Sequence, residues 1–307
     1  MSRCKTTTME WSHMKNWDCI FDAISKATGT KFSGTQVTPI GSDKVSDTKI
    51  ISDGREEYFI KRTAADAVQR LAAEVEGLEA LRKVNAVKVP RVIVSGLAGA
   101  WSYIVLERLR FAPATDHSAA QLGLQLACQH RITDNSFGWD HDNFIGRNTQ
   151  LNRRRTDWVR FWCDCRLRPQ LDLAASTASG KVLAKSGERL LESCDAFFNG
   201  YRPTPSLLHG DLWAGNWGVL ADGSPVVFDP AVYFGDREAD LAMTELFGGF
   251  GPAFYSAYRD TWPLDSGYAT RRNLYNLYHV LNHLNLFGAS YLPQSEQLIL
   301  SLLAEVH

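Results

Sequence analysis

Cysteine is scarce in this chain. There are six in 307 residues, Cys4, Cys19, Cys128, Cys163, Cys165 and Cys194, and no C-x-x-C pair. The Cys163-Asp-Cys165 triplet has the wrong spacing for a zinc knuckle. A disulfide scaffold and a zinc ribbon are therefore excluded, and reduced thiols with a cytoplasmic address are expected. An excess of either charge is also lacking, since 33 basic residues face 34 acidic ones for a net charge of −1. That excludes a bulk pull toward nucleic acid or anionic lipid, so any bound anion must be held by a local device. Long hydrophobic runs are missing too. The most apolar stretch, Val89 to Leu109, is broken by Arg91, Glu107 and a Gly96-Leu-Ala-Gly99 turn. It reads as two strands and a hairpin, not a membrane span. The opening MSRCKTTTMEWSHMKNW carries no apolar h-region, so no signal peptide is expected.

What is present is a globular composition, 45% hydrophobic and 22% charged, in a chain long enough for two domains. The first third is strand-rich. A helix is expected over Trp11–Lys26, then short strands at Gln36–Ile40, Thr48–Ser52 and Glu57–Lys61, with Asp53-Gly54 as a hairpin turn. A helix over Ala64–Lys83 follows, with Val68, Leu71, Ala72, Val75 and Leu78 as its apolar stripe. Strands at Val89–Ser95 and Trp101–Glu107 close this part. Helices are then expected at Ser118–Arg131, Arg153–Leu167, Leu171–Gly200, Ala239–Phe247 and in a terminal array from Arg271 to Glu305. A small β region, His209–Leu220 and Pro225–Phe234, is embedded among them. The pattern predicts an α+β, bilobal architecture: a β-rich lobe over residues 1–108 and a larger helical lobe over 109–307.

The most informative string is His209-Gly-Asp211-Leu-Trp213-Ala-Gly-Asn216, in which Asn216 lies five positions after Asp211. Thirteen positions later Phe228-Asp229-Pro230 closes an apolar strand. This is the protein-kinase spacing, H-x-D-x-x-x-x-N followed by an equivalent of D-F-G. Phosphoryl transfer needs a carboxylate to orient the attacking hydroxyl, the part for Asp211. It also needs hard oxygen ligands for Mg²⁺ at the ATP phosphates, which Asn216 and Asp229 offer. Taken singly, each residue fits an ordinary turn or cap; the joint spacing carries the reading.

Tyr58-Phe-Ile-Lys61 is an alternating strand ending in a lysine suited to the α/β-phosphates of ATP. That lysine needs an acidic partner on the next helix. Glu74 and Glu79 flank the apolar stripe on opposite sides, and helical geometry does not choose between them. The segment between the first two strands has one glycine, not G-x-G-x-x-G; Gly41, Ser42 and Asp43 are its expected phosphate contacts. On Tyr103-Ile-Val-Leu-Glu107-Arg-Leu109, the Glu107 carbonyl and Leu109 amide are placed at the adenine edge by analogy with kinase hinges.

These residues resemble the fructosamine kinase (ketosamine 3-kinase) family, related to aminoglycoside and choline kinases. The likeness rests on five stretches, Glu74–Leu81, Phe137–Gly146, Leu208–Asn216, Phe228–Gly235 and Leu246–Phe250, and on the tail Asn276–Gly288. It implies a protein-kinase-like fold and ATP- and Mg²⁺-dependent phosphorylation of the C3 hydroxyl of a ribulosamine or fructosamine adduct, leading to deglycation. It assigns Asp211 as base, Asn216 and Asp229 to the metal, Lys61 to ATP and Glu74 as the lysine partner. Trp213 is expected against the sugar. His283 reads as a core or pocket-edge histidine and is kept with Asp142 and Asn143 as a substrate-side candidate. The polar cluster of Asp142, Asn143, Gln150 and Asn152 could hold substrate hydroxyls. Asp236, Glu238 and Asp240 are expected to brace the catalytic loop, and Arg166 and Gln170 lie near the substrate by resemblance only.

A second reading keeps the fold and changes the alcohol to an aminoglycoside or choline. The Trp213 string and the tail argue against it. A third is a dead nucleotide-binding protein, against which stands the presence of Lys61, Asp211, Asn216 and Asp229 together. Nucleic-acid and membrane partners are not expected. The sugar, the amine and the oligomeric state are not legible.

Overall fold

Alternating apolar residues in the first third build one antiparallel sheet. Its strands are β1 (Gln36–Ser42), β2 (Asp47–Ser52), β3 (Glu57–Ala64), β4 (Val92–Ala98) and β5 (Trp101–Glu107), in the order β1-β2-β3-β5-β4. The computed structural model describes residues 7–42 and 47–306. The chain divides into two units, Met1–Arg82 with Val89–Phe111, and Lys83–Lys88 with Ala112–His307.

In the first unit the two-residue period of β3 decides which side chain meets which helix. Tyr58 and Ile60 pack with Ile20 and Ile24 of α1 (Thr7–Thr28). Phe59 packs on the other face with Leu71 and Leu78 of α2 (Val68–Val84), and Lys61 shares that face. Strand β5 runs between β3 and β4, and Ser102 to Leu106 are buried throughout, as an apolar strand covered on both faces should be. The expected turn after β2 is present: Gly54 has φ +91°, and Asp53 Oδ1 accepts the N–H groups of Arg55 and Glu56, both at 2.9 Å.

Two expectations shift. Strand β4 continues through Gly96 to Ala98, and only Gly99, at φ +61°, turns the chain. Helix α2 starts at Val68, because β3 runs to Ala64 and a 3₁₀ turn occupies Ala65–Ala67. Val68 is thus left exposed, and Leu81 joins Leu71 and Leu78 in the buried stripe.

The second unit is mainly helical. After β6 (Phe111–Ala112) come α3 (Asp116–His130), the hairpin of β7 (Asn143–Ile145) and β8 (Asn148–Gln150), then α4 (Trp158–Trp162), α5 (Arg168–Ala175) and α6 (Ala184–Glu192). The short strands β9 (Ser206–Leu208), β10 (Trp217–Leu220), β11 (Pro225–Val227) and β12 (Tyr233–Gly235) pair as β9 with β12 and β10 with β11. Helices α7 (Arg237–Leu246), α8 (Pro252–Thr261), α9 (Tyr268–Phe287) and α10 (Leu292–Val306) complete it. Its core is strongly aromatic, with Trp158, Phe161, Trp162, Tyr275 and Tyr278 together.

Three helix boundaries differ from expectation for local reasons. The run over Leu171–Gly200 is not one helix. After Ala175 the hydroxyls of Ser176 and Thr177 bond back to the carbonyls of Leu173 and Ala174, at 2.6 and 2.8 Å, and stop it. Gly180 then lies so close to the Ala174 carbonyl that a Cβ would come within 2.2 Å of the oxygen. Helix α4 begins at Trp158, not Arg153, because Asp157 caps it through the Arg160 N–H at 2.8 Å. A wide turn, Cys163–Leu167, links α4 to α5 and turns Arg166 inward, where it is wholly buried. The terminal array breaks at Gly288, φ +95°, and α8 precedes it unanticipated.

Candidate active site

The loop from His209 to Asn216 leaves β9 and is fixed from below by α7. Asp240 accepts the His209 N–H on Oδ2 at 2.7 Å and the Gly210 N–H on Oδ1 at 2.8 Å. His130 of α3 approaches Asp240 Oδ2 through Nε2 at 3.1 Å, and its Nδ1 meets the Tyr258 hydroxyl at 2.8 Å. Burial alone would raise the Asp240 pKa; the hydrogen bond and charge of His130 and the loop N–H groups outweigh it and hold the carboxyl below its ordinary value. Gly210 has φ +83°, and a Cβ there would sit 2.0 Å from the Ala231 carbonyl oxygen. Only glycine lets the two loops approach so closely.

His209 ties the first loop to the second. Its Nε2 donates to the Phe228 carbonyl at 3.1 Å, and its Nδ1 accepts the Asp211 N–H at 3.3 Å. The ring is therefore neutral with its proton on Nε2, and burial lowers its pKa. The Ala231 N–H donates to the His209 carbonyl at 2.8 Å, and the Phe228 N–H to the Asn216 carbonyl at 3.0 Å. Between these anchors Asp229 adopts φ +55°, unusual for a residue with a side chain.

Asn216 closes the arrangement. It is buried, and its Nδ2 donates to the Asp211 carbonyl at 2.8 Å and to Asp211 Oδ2 at 3.2 Å. The amide nitrogen is thus committed to Asp211, which settles the orientation of the group. Asp211, Asn216 and Asp229 stand on one hydrogen-bonded frame.

Trp213 and His283 belong to one aromatic array in this unit. Trp213, 39% exposed, lies edge-on to Phe247 with centroids 6.2 Å apart. Phe247 in turn meets His283 at 5.0 Å, and Phe287 and Tyr291 lie 5.3 and 5.1 Å from the His283 ring. His283 Nδ1 donates to the His279 carbonyl at 2.8 Å, so the neutral ring carries its lone pair on Nε2. Burial lowers its pKa. The sequence reading gives Phe247 a place in the Leu246–Phe250 stretch but no site role, because its partner stands 36 positions away and nothing local announces the contact.

Asp142 and Asn143 do not join that array. Asp142 Oδ1 accepts the Asn152 N–H at 2.7 Å, and Asn143 is buried with both ends of its amide bonded inside the protein.

In the first unit, Lys61 Nζ lies 2.8 Å from Glu74 Oε2. Glu79 instead pairs with Arg82 on the exposed face at 2.7 Å, which answers the choice that helical geometry left open. Gly41 and Ser42 are the last residues of β1, opposite Thr48 and Asp47; Asp43 lies outside the described residues. The Glu107 carboxylate accepts the Arg91 N–H at 2.8 Å, and Leu109 lies just beyond β5.

The sequence profile of the fructosamine kinase family matches residues 16–305. A probable ketoamine kinase from Synechocystis is 40% identical over 92% of this chain and 95% of its own length. The chloroplastic protein-ribulosamine 3-kinase of Arabidopsis thaliana is 35% identical over 91% of this chain and 86% of its own. The chain belongs to the fructosamine kinase family. A crystal structure of a candidate fructosamine-3-kinase from Haemophilus somnus superposes with a TM-score of 0.87 at 26% identity, covering 95% of this chain and 99% of that one. The aminoglycoside phosphotransferase APH(4)-Ia shares the fold alone, at 15% identity and a TM-score of 0.61. The fold is therefore α+β and protein-kinase-like, as the sequence led one to expect. With the family comes the activity, ATP-dependent phosphoryl transfer to a ketosamine. Among the described residues, no helix is long and apolar enough to cross a membrane.

Proposed function

We propose that this kinase phosphorylates the C3 hydroxyl of ribulosamine- or fructosamine-type adducts, free or on protein lysines. Asp211 orients the hydroxyl and accepts its proton as the phosphoryl group transfers. Asn216 keeps that carboxylate in place through its Nδ2. Lys61, steadied by Glu74, neutralises the ATP phosphates. Trp213 offers an aromatic face to the sugar C–H groups. His283, its proton held by the His279 carbonyl, keeps Nε2 as an acceptor within the same array.

The donor set suits Mg²⁺. Asn216 has its nitrogen turned to Asp211, which leaves the amide oxygen as its remaining polar atom, and Asp229 is an exposed residue on the same frame. Both are hard oxygen donors of the kind Mg²⁺ takes alongside phosphate oxygens. When bound, the ion would offset charge on the phosphates. C3 is the carbon α to the C2 carbonyl; once a C1 proton is lost to form the enaminol, a phosphate there leaves far more readily than hydroxide, and hydrolysis of the C1 imine left behind would free the amine. A cytoplasmic address is part of this proposal, in keeping with the free thiols at Cys19, Cys128, Cys163, Cys165 and Cys194.

The observation that carries the reading is the Asp211–Asn216 contact in a chain of this family. ATP consumption should be followed against ribulosyl-lysine, fructosyl-lysine, choline and kanamycin, with phosphorus NMR locating the ester. A C3 phosphate on a ketosamine is expected; turnover on choline or kanamycin alone would overturn the substrate assignment.

A further inference from the structure

Behind the Asp229 turn lies a buried chain of amides with a fixed direction. It starts at Arg166, a wholly buried guanidinium at the wide turn before α5. Its bonded partners are neutral oxygens: Nη1 donates to the carbonyls of Leu151 and, at 2.9 Å, Cys165, and Nη2 donates to Asn152 Oδ1 at 2.9 Å. Its plane lies over the Tyr233 ring at 3.9 Å. A guanidinium can only donate, so Asn152 must receive it through oxygen. The Asn152 nitrogen is then left to donate onward, to Asn143 Oδ1 at 2.9 Å. Asn143 must in turn donate through Nδ2, and it does, to the Val232 carbonyl at 2.8 Å.

Gln150 runs alongside. It faces Asn143 across the β7–β8 hairpin, and its Nε2 donates to Asn143 Oδ1 at 2.8 Å and to the Ala231 carbonyl at 3.1 Å. The Tyr278 hydroxyl donates to its Oε1 at 2.9 Å. Asn143, Gln150 and Asn152 are each at most 4% exposed. Every donor at the far end meets a backbone carbonyl of Ala231 or Val232, two and three residues beyond Asp229, whose backbone stands at φ +55°.

We infer that Arg166, Asn152, Asn143 and Gln150 are positioning residues that hold the Asp229 turn in its metal-binding conformation and do not contact the sugar. This rests on the proposed role of Asp229. The charge at Arg166 sets the direction of the chain, and its amides end on the backbone carbonyls of His141, Ala231 and Val232.

The test uses the full-length protein with Mn²⁺ as probe. Mn²⁺ affinity in the presence of ADP is read by electron paramagnetic resonance, beside steady-state kinetics and thermal melting. Gln150→Met keeps the side-chain length and removes the bonds to Ala231, Asn143 and Tyr278. Tyr278→Phe removes only the hydroxyl, with its bond to Gln150 and its hydrogen bond to Gln170, and serves if the first variant does not fold. Gln150→Met should weaken Mn²⁺ binding about tenfold and lower kcat by a similar factor, with KM for the ketosamine unchanged within about twofold; Tyr278→Phe should show the same pattern at about two- to threefold. A raised ketosamine KM with unchanged Mn²⁺ affinity would make these residues substrate contacts and overturn the inference. A lowered melting temperature with wild-type Mn²⁺ affinity and kcat well below the melt would reduce them to ordinary core and overturn it too. Asp229→Asn is the control for the underlying reading: if it leaves Mn²⁺ affinity intact, the role of Asp229 fails whatever the other variants show.

Discussion

Asn216 Nδ2 donates to both the carbonyl and the carboxylate of Asp211, at 2.8 and 3.2 Å. One amide thus fixes the backbone and the reactive end of the same aspartate. Asp211→Asn removes the proposed base, leaves two amides facing each other and should lower kcat by about a thousandfold. Nucleotide affinity, measured by titration with a fluorescent ATP analogue, should stay within a few-fold of wild type. Near-normal kcat in this variant would remove Asp211 from its role.

The Lys61–Glu74 pair is well shielded, with side-chain exposures of 18% and 12%. Lys61→Met should raise KM for ATP and cut kcat/KM by about a hundredfold, the scale on which a positioned cation stabilises transferring phosphate. Glu74→Gln keeps a hydrogen-bond acceptor and should cost less, about tenfold. Glu79→Gln, which touches only Arg82 on the exposed face, should change neither constant measurably. Steady-state kinetics on the three variants orders them.

Gly210→Ala probes how tightly the His209–Asn216 loop packs against the Asp229 turn. The added carbon meets the Ala231 oxygen at 2.0 Å, and a φ of +83° is strained for any L residue with a Cβ. The variant should lose on the order of 2–4 kcal/mol of stability, within the range that names a specific mechanism. Denaturant unfolding measures it. A loss under about 0.5 kcal/mol would mean that the loops part easily.

Much of this architecture was legible because it is local. The two-residue period of Tyr58 to Lys61 put the lysine on the face it shares with Phe59, opposite Tyr58 and Ile60. The spacing of Asp211, Asn216 and Asp229 named the frame on which they stand. What was not legible depends on distant partners. Glu74 could not be separated from Glu79 by periodicity, since the choice is made by where β3 presents Lys61. Asn143 read as a substrate contact because a polar cluster in a loop looks alike whether its amides face a ligand or each other; burial and the direction imposed by Arg166 favour the second. The long helix expected over Leu171–Gly200 failed where hydroxyls competed for backbone carbonyls, a contest that apolar spacing does not record. Of the residues read as bracing the catalytic loop, Asp240 binds the loop backbone directly. Its partner His130 gave no signal, being 110 positions away.

Trp213→Ala should raise KM for the ketosamine about tenfold, because the loss of an aromatic face is worth about 1–1.5 kcal/mol. Trp213→Phe should recover most of it. ATP binding should not move in either. If the ketosamine KM stays put while the protein melts earlier, the ring is packing against Phe247 and Gly215 and does not meet the sugar.

The acid limb of stability should be set in part by His279. Burial first, then the nearby His283, lowers its pKa to about 3, against an ordinary histidine value of 6.5. The folded protein keeps this ring neutral where the unfolded chain would protonate it. The unfolded state therefore binds more protons between those two values, and stability must rise with pH across that window. Above about pH 6.5 the ring is neutral in both states and contributes no slope. Below it, each pH unit should cost up to about 1.4 kcal/mol from this one group, until the folded protein also takes up the proton or unfolds. His279→Gln, which cannot be protonated, should flatten that limb in urea unfolding between pH 7 and 5 while lowering stability at pH 7 through lost packing. An unchanged slope would mean that water reaches the ring and that the burial of α9 at this position is less complete than the 5% exposure of His279 implies.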